Sequence, residues 1–323
     1  MQISTFFRTA ALLGMFCIVA ERASASPIDC TNVAKDSCYF SFTPANQAGR
    51  VHFYSSLDPS SKGSVGPITH ALVVMHGHPR DANKTFNAAL AAVKAAGAVT
   101  NTLVVAPIYQ VATAQANKCS TKGVPTAVQG DLTWTCGTWV AGGVSTGPAG
   151  ISSFAVMDAL IVQLKKDFPD LTTITVAGFS AGDQMVQHYI GFAADVATPD
   201  LKVRYVVSDP GAWLYFDSER VQPALNGAQV AWSQCQGGVQ GLGDCELKIA
   251  APNTSCPSIN SWKYGLDKLP SGLSRGAAQA RSHYAAADVS YIEGALDSSP
   301  AKGAHYGILD KSCAANAQGL YRM

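Results

Sequence analysis

Thr173-Ile174-Thr175-Val176-Ala177-Gly178-Phe179-Ser180-Ala181-Gly182-Asp183 is the stretch that decides how this chain folds. A β-branched run leads into Gly-x-Ser-x-Gly, and a helical pattern follows. That order, strand then sharp turn then helix, is how a backbone presents a nucleophilic serine. The glycines are steric requirements, because strand and helix pass so close that side chains at 178 and 182 would clash. The helix N-terminus behind Ser180 supplies N–H donors and a positive dipole end, which suit a developing oxyanion.

The pattern is short enough to arise by chance, and the chain carries its own control. Gly143-Val144-Ser145-Thr146-Gly147 matches it too. There, Ala141-Gly142-Gly143 precedes and Pro148-Ala149-Gly150 follows, with no strand and no helix start. Ser145 is therefore expected to be a loop serine.

Outward from the elbow, apolar strand-like runs alternate with helical ones. Ala71–Met75, Thr102–Ala106, Thr173–Ala177, Val203–Val207 and Val289–Ile292 read as strands, the second stopped by Pro107. Phe86–Ala96, Ser153–Phe168 and the segment after Gly182 read as helices. Continuous apolar strands separated by helices predict an α/β fold with a mostly parallel sheet covered on both faces. Two stretches break the rhythm, 111–150 and 217–287. The second is a candidate lid or insertion, since loops of this length are usually functional. Trp134, Trp139, Trp232 and Trp262 in them could stack on a substrate, but a tryptophan in a disulfide-tied loop more often forms that loop's own core.

The N-terminus reads as a secretory signal over residues 1–25. Arg8 gives the positive region, Thr9–Ala20 an apolar core too short to span a bilayer, and Ala23-Ser24-Ala25 a small-residue cleavage site. Residues 26–323 read as a single domain, and secretion as the expected destination. Removal of the signal takes Arg8, Glu21 and Arg22, leaving acidic and basic residues equal in number. No basic tract argues for nucleic acid, and no later apolar run is long enough for a membrane helix.

Nine cysteines are present, and Cys17 would leave with the signal. Cys30, Cys38, Cys119, Cys136, Cys235, Cys245, Cys256 and Cys313 remain, an even set that reads as disulfides in a secreted chain. Proximity favours Cys30–Cys38 and Cys119–Cys136. With no CxxC pair and no His-x-x-x-His, no metal or cofactor is implied. Asn83 and Asn253 begin glycosylation sequons.

These residues together resemble a secreted α/β-hydrolase. The resemblance is carried by Val74-Met75-His76-Gly77, the Gly178–Gly182 elbow, Tyr291–Asp297 and Leu309–Ala315. It implies Ser180 as nucleophile, with oxyanion donors from the Ala181 N–H and from the loop around Gly77 or His78. His76 is expected to shape that loop. Asp297, at a strand end after Gly294, is the implied triad acid, and Asp209 its rival.

The base is the open point. The chain order Ser, acid, His leaves only His305, eight residues past Asp297 and before any further strand. Three readings follow: His305 serves from an unusual loop, the sequence is a truncated form of a longer enzyme, or turnover has been lost. His188, His283 and His70 fit worse. Asp183 should favour the helix N-terminus, yet its charge near Ser180 would disfavour an oxyanion. The expected activity is hydrolysis of a small-molecule or polymeric carboxylic ester through an acyl-Ser180 intermediate. Feruloyl, polyester and acetyl esters are all open, and a peptidase is possible. The alternative is a catalytically impaired, hydrolase-like secreted binding protein.

Overall fold

A computed structural model describes residues 30–61, 66–121, 123–147, 150–230, 234, 244–251 and 259–292. The strands are β1 (Tyr39–Phe42), β2 (Val51–Ser55), β3 (His70–Met75), β4 (Thr102–Ile108), β5 (Thr173–Gly178), β6 (Lys202–Ser208), β7 (Arg220–Leu225), β8 (Ala228–Gln229), β9 (Glu246–Ala250) and β10 (Asp288–Ile292). The helices are α1 (Ala82–Ala95), α2 (Thr113–Ala116), α3 (Ser153–Asp167), α4 (Ala181–Phe192) and α5 (Ala277–Ala286).

One sheet of seven strands runs β1-β2-β4-β3-β5-β6-β10. β4, β3, β5, β6 and β10 are parallel, and β2 joins antiparallel to both β1 and β4. The architecture is α/β, a mostly parallel sheet with helices on both faces, as the alternation of strand-like and helical runs predicts.

Strand alternation sorts the faces. Val73, Val105, Ile174 and Val176 pack with Leu160, Ile161 and Leu164 of α3 and Met185, Val186 and Tyr189 of α4. Val74, Val104 and Ala106 face the other way and pack with Phe86, Leu90 and Val93 of α1. Burial on both faces is why these strands read as unbroken apolar runs. At the start of α3, the Ser152 hydroxyl accepts the Phe154 N–H at 3.2 Å, while Lys165 and Lys166 occupy the last turn, where cations suit the helix dipole.

β4 does not stop at Pro107. Its pairing with β3 ends at Val105, but it continues beside β2, with Pro107 opposite Phe53. Beyond Val105 the strand is bonded on one side only, and there a proline's missing N–H is tolerated.

The 217–287 stretch contributes a separate antiparallel sheet, β8-β7-β9, and helix α5. Cys30–Cys38 and Cys119–Cys136 are disulfides. Cys245 is disulfide-bonded as well. Cys235, Cys256, Cys313, Asn253, Trp232 and the expected signal lie outside the described residues. Among the described residues, no helix is long and apolar enough to cross a membrane, and no His/Cys/Asp/Glu group could hold a metal ion.

Candidate active site

β5 ends at Gly178, and α4 starts at Ala181. Between them Ser180 adopts φ 57° and ψ −122°, a conformation that costs a non-glycine residue about 1–3 kcal/mol. The neighbours explain why it persists. A Cβ on Gly178 would stand 2.6 Å from the Asp183 nitrogen, and one on Gly182 would stand 2.5 Å from the carbonyl oxygens of both Met75 and His76. Only glycine fits at either place, and the tightness forces the turn at 180. The Ser180 carbonyl accepts the Gln184 N–H at 2.9 Å, opening the helix, and the Gly211 N–H at 3.0 Å. Ser180 is partly exposed, and Phe179 beside it is 62 % exposed. The Ala181 N–H is among the first donors of α4, which the helix cannot satisfy itself.

The second element is the loop between β3 and α1. His76 is fully buried, and its ring packs 4.4 Å from that of Trp139. Its Nε2 accepts the Tyr109 N–H at 3.1 Å, so Nδ1 carries the proton and donates it to the Gly77 carbonyl at 2.9 Å. Burial pushes its pKa down to about 4, leaving a neutral ring that shapes the loop. The Gly77 carbonyl also accepts the Arg80 N–H at 3.0 Å. In a trans peptide the C=O and the next N–H point opposite ways, so the His78 N–H is turned away from this inner bond.

Asp183, third residue of α4, is fully buried, and its Oδ2 accepts the Ser208 N–H at the end of β6. It binds the elbow helix to the neighbouring strand, a role its sequence position does not announce. Asp209 follows at φ 46°, its N–H donating to the Ile292 carbonyl at 3.3 Å. Asp297 and His305 lie outside the described residues.

The other histidines are occupied elsewhere. His188 is buried on α4 and donates from Nε2 to the Lys263 carbonyl at 2.6 Å, and burial lowers its pKa to about 4. His283 on α5 donates from Nδ1 to the Ile190 carbonyl at 2.7 Å and stands 3.3 Å from Asp195. His70 is exposed at the start of β3. Ser145 is buried, and its Oγ accepts the Ile151 N–H at 3.1 Å, as befits a loop serine. Trp134 and Trp139 are core residues, and Trp262 donates to the Ala141 carbonyl at 2.9 Å. Asn83 stands in the first turn of α1, half-buried.

Two groupings have no local sequence signature. His52 on β2 bonds Asp131 at 2.8 Å, and Arg50 adds an ion pair at 3.2 Å. Arg80, 1 % exposed, donates from Nη1 to Gln110 Oε1 at 2.9 Å and from Nη2 to the Ser120 hydroxyl. These partners are thirty and forty residues away in sequence.

Sequence comparison with known protein families and with curated proteins gives no match. Solved structures offer distant likenesses. Poly(aspartic acid) hydrolase-1 from Sphingomonas sp. KT-1 is 16 % identical over 88 % of this chain and 83 % of its own, with a TM-score of 0.45. The poly(3-hydroxybutyrate) depolymerase LpqC from Bordetella parapertussis is 14 % identical over 79 % of this chain and 83 % of its own, TM-score 0.37. An esterase from Pyrobaculum calidifontis is 15 % identical over 57 % of this chain and 48 % of its own, TM-score 0.33. Likenesses this slight do not bear on the reaction, and the fold rests on the strand order and faces described above.

Proposed function

We propose that the chain is a secreted serine hydrolase of carboxylic esters. The observation that carries this is the conformation of Ser180, held at positive φ between a strand and a helix N-terminus by two glycines that nothing else can replace. Such strain is kept where the surroundings over-determine it, and functional sites are where it clusters.

In this reading the Ser180 Oγ bonds to the ester carbonyl carbon and passes its proton to a base. The carbonyl oxygen takes up negative charge, held by the N–H groups of Ala181 and of Gly77 or His78. Collapse expels the alcohol, which receives the proton, and leaves the acyl-serine. Water then repeats the sequence and frees the acid. Asp297 and His305 are the acid and base proposed for this set, His305 taking the Ser180 proton and Asp297 orienting it.

A fluorophosphonate probe tests the proposal on folded, disulfide-bonded protein. Stoichiometric labelling that vanishes in Ser180→Ala supports it, and no labelling of the folded protein overturns it. Where the wild type labels, unchanged turnover by unlabelled His305→Ala would remove His305 from the set.

A further inference from the structure

We infer that Arg80 is a positioning residue for this hydrolysis, clamping the loop between β3 and α1, and with it the His78 N–H, against the segment closed by the Cys119–Cys136 disulfide. The inference rests on the Ser180 reading above.

The clamp has two parts. Through its backbone, Arg80 sits at φ 59° and closes the turn by donating to the Gly77 carbonyl. Through its side chain, it reaches Gln110 just past β4 and Ser120 next to Cys119. Gln110 is itself fixed, its Nε2 donating at 3.1 Å to both the Tyr39 hydroxyl and the Pro125 carbonyl. Tyr39 follows Cys38 of the other disulfide. Two cross-links thus brace the partners of one guanidinium.

The chemistry of that guanidinium is the second observation. Among the described residues no carboxylate pairs with Arg80, and its buried Nε has no hydrogen-bond partner. Burying a cation without a counter-charge is costly. Its hydrogen bonds to Gln110 and Ser120 are what hold it there. The charge is also felt in the loop, where it helps to hold His76 neutral.

Arg80→Met and Arg80→Lys, measured on p-nitrophenyl acetate and with the fluorophosphonate probe, test this. For Arg80→Met, kcat is expected to fall about 100-fold with KM changed less than about threefold, since the loss is of transition-state stabilisation and alignment. Labelling should slow in proportion and reach the same end point. Arg80→Lys keeps the charge without the fork and should recover part of the rate. Hydrogen exchange at the Arg80 amide should quicken at least about tenfold in Arg80→Met as the turn loosens. Unchanged kcat and labelling rate, or a change confined to KM, overturns the inference. If Arg80→Met does not fold, Ser120→Ala replaces it, and an unchanged kcat there overturns the inference equally. If wild-type protein fails to label, the Ser180 reading falls by itself. Exchange then decides the clamp, which unchanged protection of the Arg80 amide would refute.

Discussion

A Cβ on Gly182 would meet the carbonyl oxygen of His76 at 2.5 Å. The second residue of the elbow helix therefore rests directly on the end of β3. The two places expected to supply oxyanion donors, Ala181 and the loop after His76, are set against each other by backbone contact. No side chain mediates it, so their spacing depends on one missing methyl group.

Gly182→Ala is expected to destabilise by at least about 1–3 kcal/mol, because rigid backbone stands on the crowded side and cannot yield. Gly137→Ala, where nothing lies within 4 Å, should stay within about 0.5 kcal/mol. Urea denaturation of both variants checks the contrast, and equal losses would contradict the contact.

Ser180→Gly should be more stable than the wild type by roughly 1 kcal/mol. Glycine removes the cost of φ 57° and gives back part of the gain to chain entropy. Ser180→Ala keeps the Cβ and should gain little. Thermal melts of the two variants separate relief of strain from loss of the hydroxyl.

His76 and His188 make the fold acid-sensitive. Both have folded pKa values near 4, below the ordinary 6.5, because burial disfavours the charged ring. Above pH 6.5 they are neutral in both states and contribute nothing to the pH dependence. Between 6.5 and 4 only the unfolded chain takes up their protons, so stability falls as the pH falls. Each histidine accounts for on the order of 3 kcal/mol across that window. His188→Gln keeps a donor for the Lys263 carbonyl and should remove about half of the two histidines' share of the slope, read from urea midpoints at several pH values.

Replacing Cys119 and Cys136 by serine opens a loop closed across 17 residues of sequence. The expected loss is about 3 kcal/mol, mostly through a freer unfolded chain. Chemical denaturation of the double variant measures it. A loss near zero would mean that the segment is held by its buried Trp134 and Trp139 instead.

The elbow was legible because its determinants are local. Gly178, Ser180 and Gly182 lie within five residues, and the β-branched run before them marks a strand that buries Ile174 and Val176 on one face and half-buries the other. The other parallel strands and α1, α3 and α4 were legible for the same reason. β1 and β2 were not, since Tyr39–Phe42 and Val51–Ser55 mix polar and apolar residues at one side of the sheet. α5 has almost no apolar stripe and buries only Ala280, which leaves no helical period to find. Asp183 looked like a first-turn charge, but β6 arrives from more than twenty residues away to use it. The Arg80 cluster is likewise assembled by the fold, from positions 39, 80, 110 and 120. No spacing rule joins them.

Every residue of α4 from Ala181 to Phe192 is buried. Several of its polar members serve main-chain groups of the segments that wrap it, Asp183 among them, while the Tyr189 hydroxyl donates to Asp158 of α3 at 2.7 Å. Gln187 accepts the Leu214 N–H at 2.9 Å and donates to the Leu214 carbonyl at 3.2 Å, and His188 serves Lys263. A helix without a wet face has no neutral ground for drift: its positions answer to packing volume or to a specific hydrogen-bond partner. Saturation mutagenesis across 181–192 should find no permissive register, unlike α1, where Lys84 and Lys94 look outward. The same twelve residues that aim the serine also anchor the surrounding loops, so sequence change is far more readily accommodated in the wrapping segments than in the rod they are tied to.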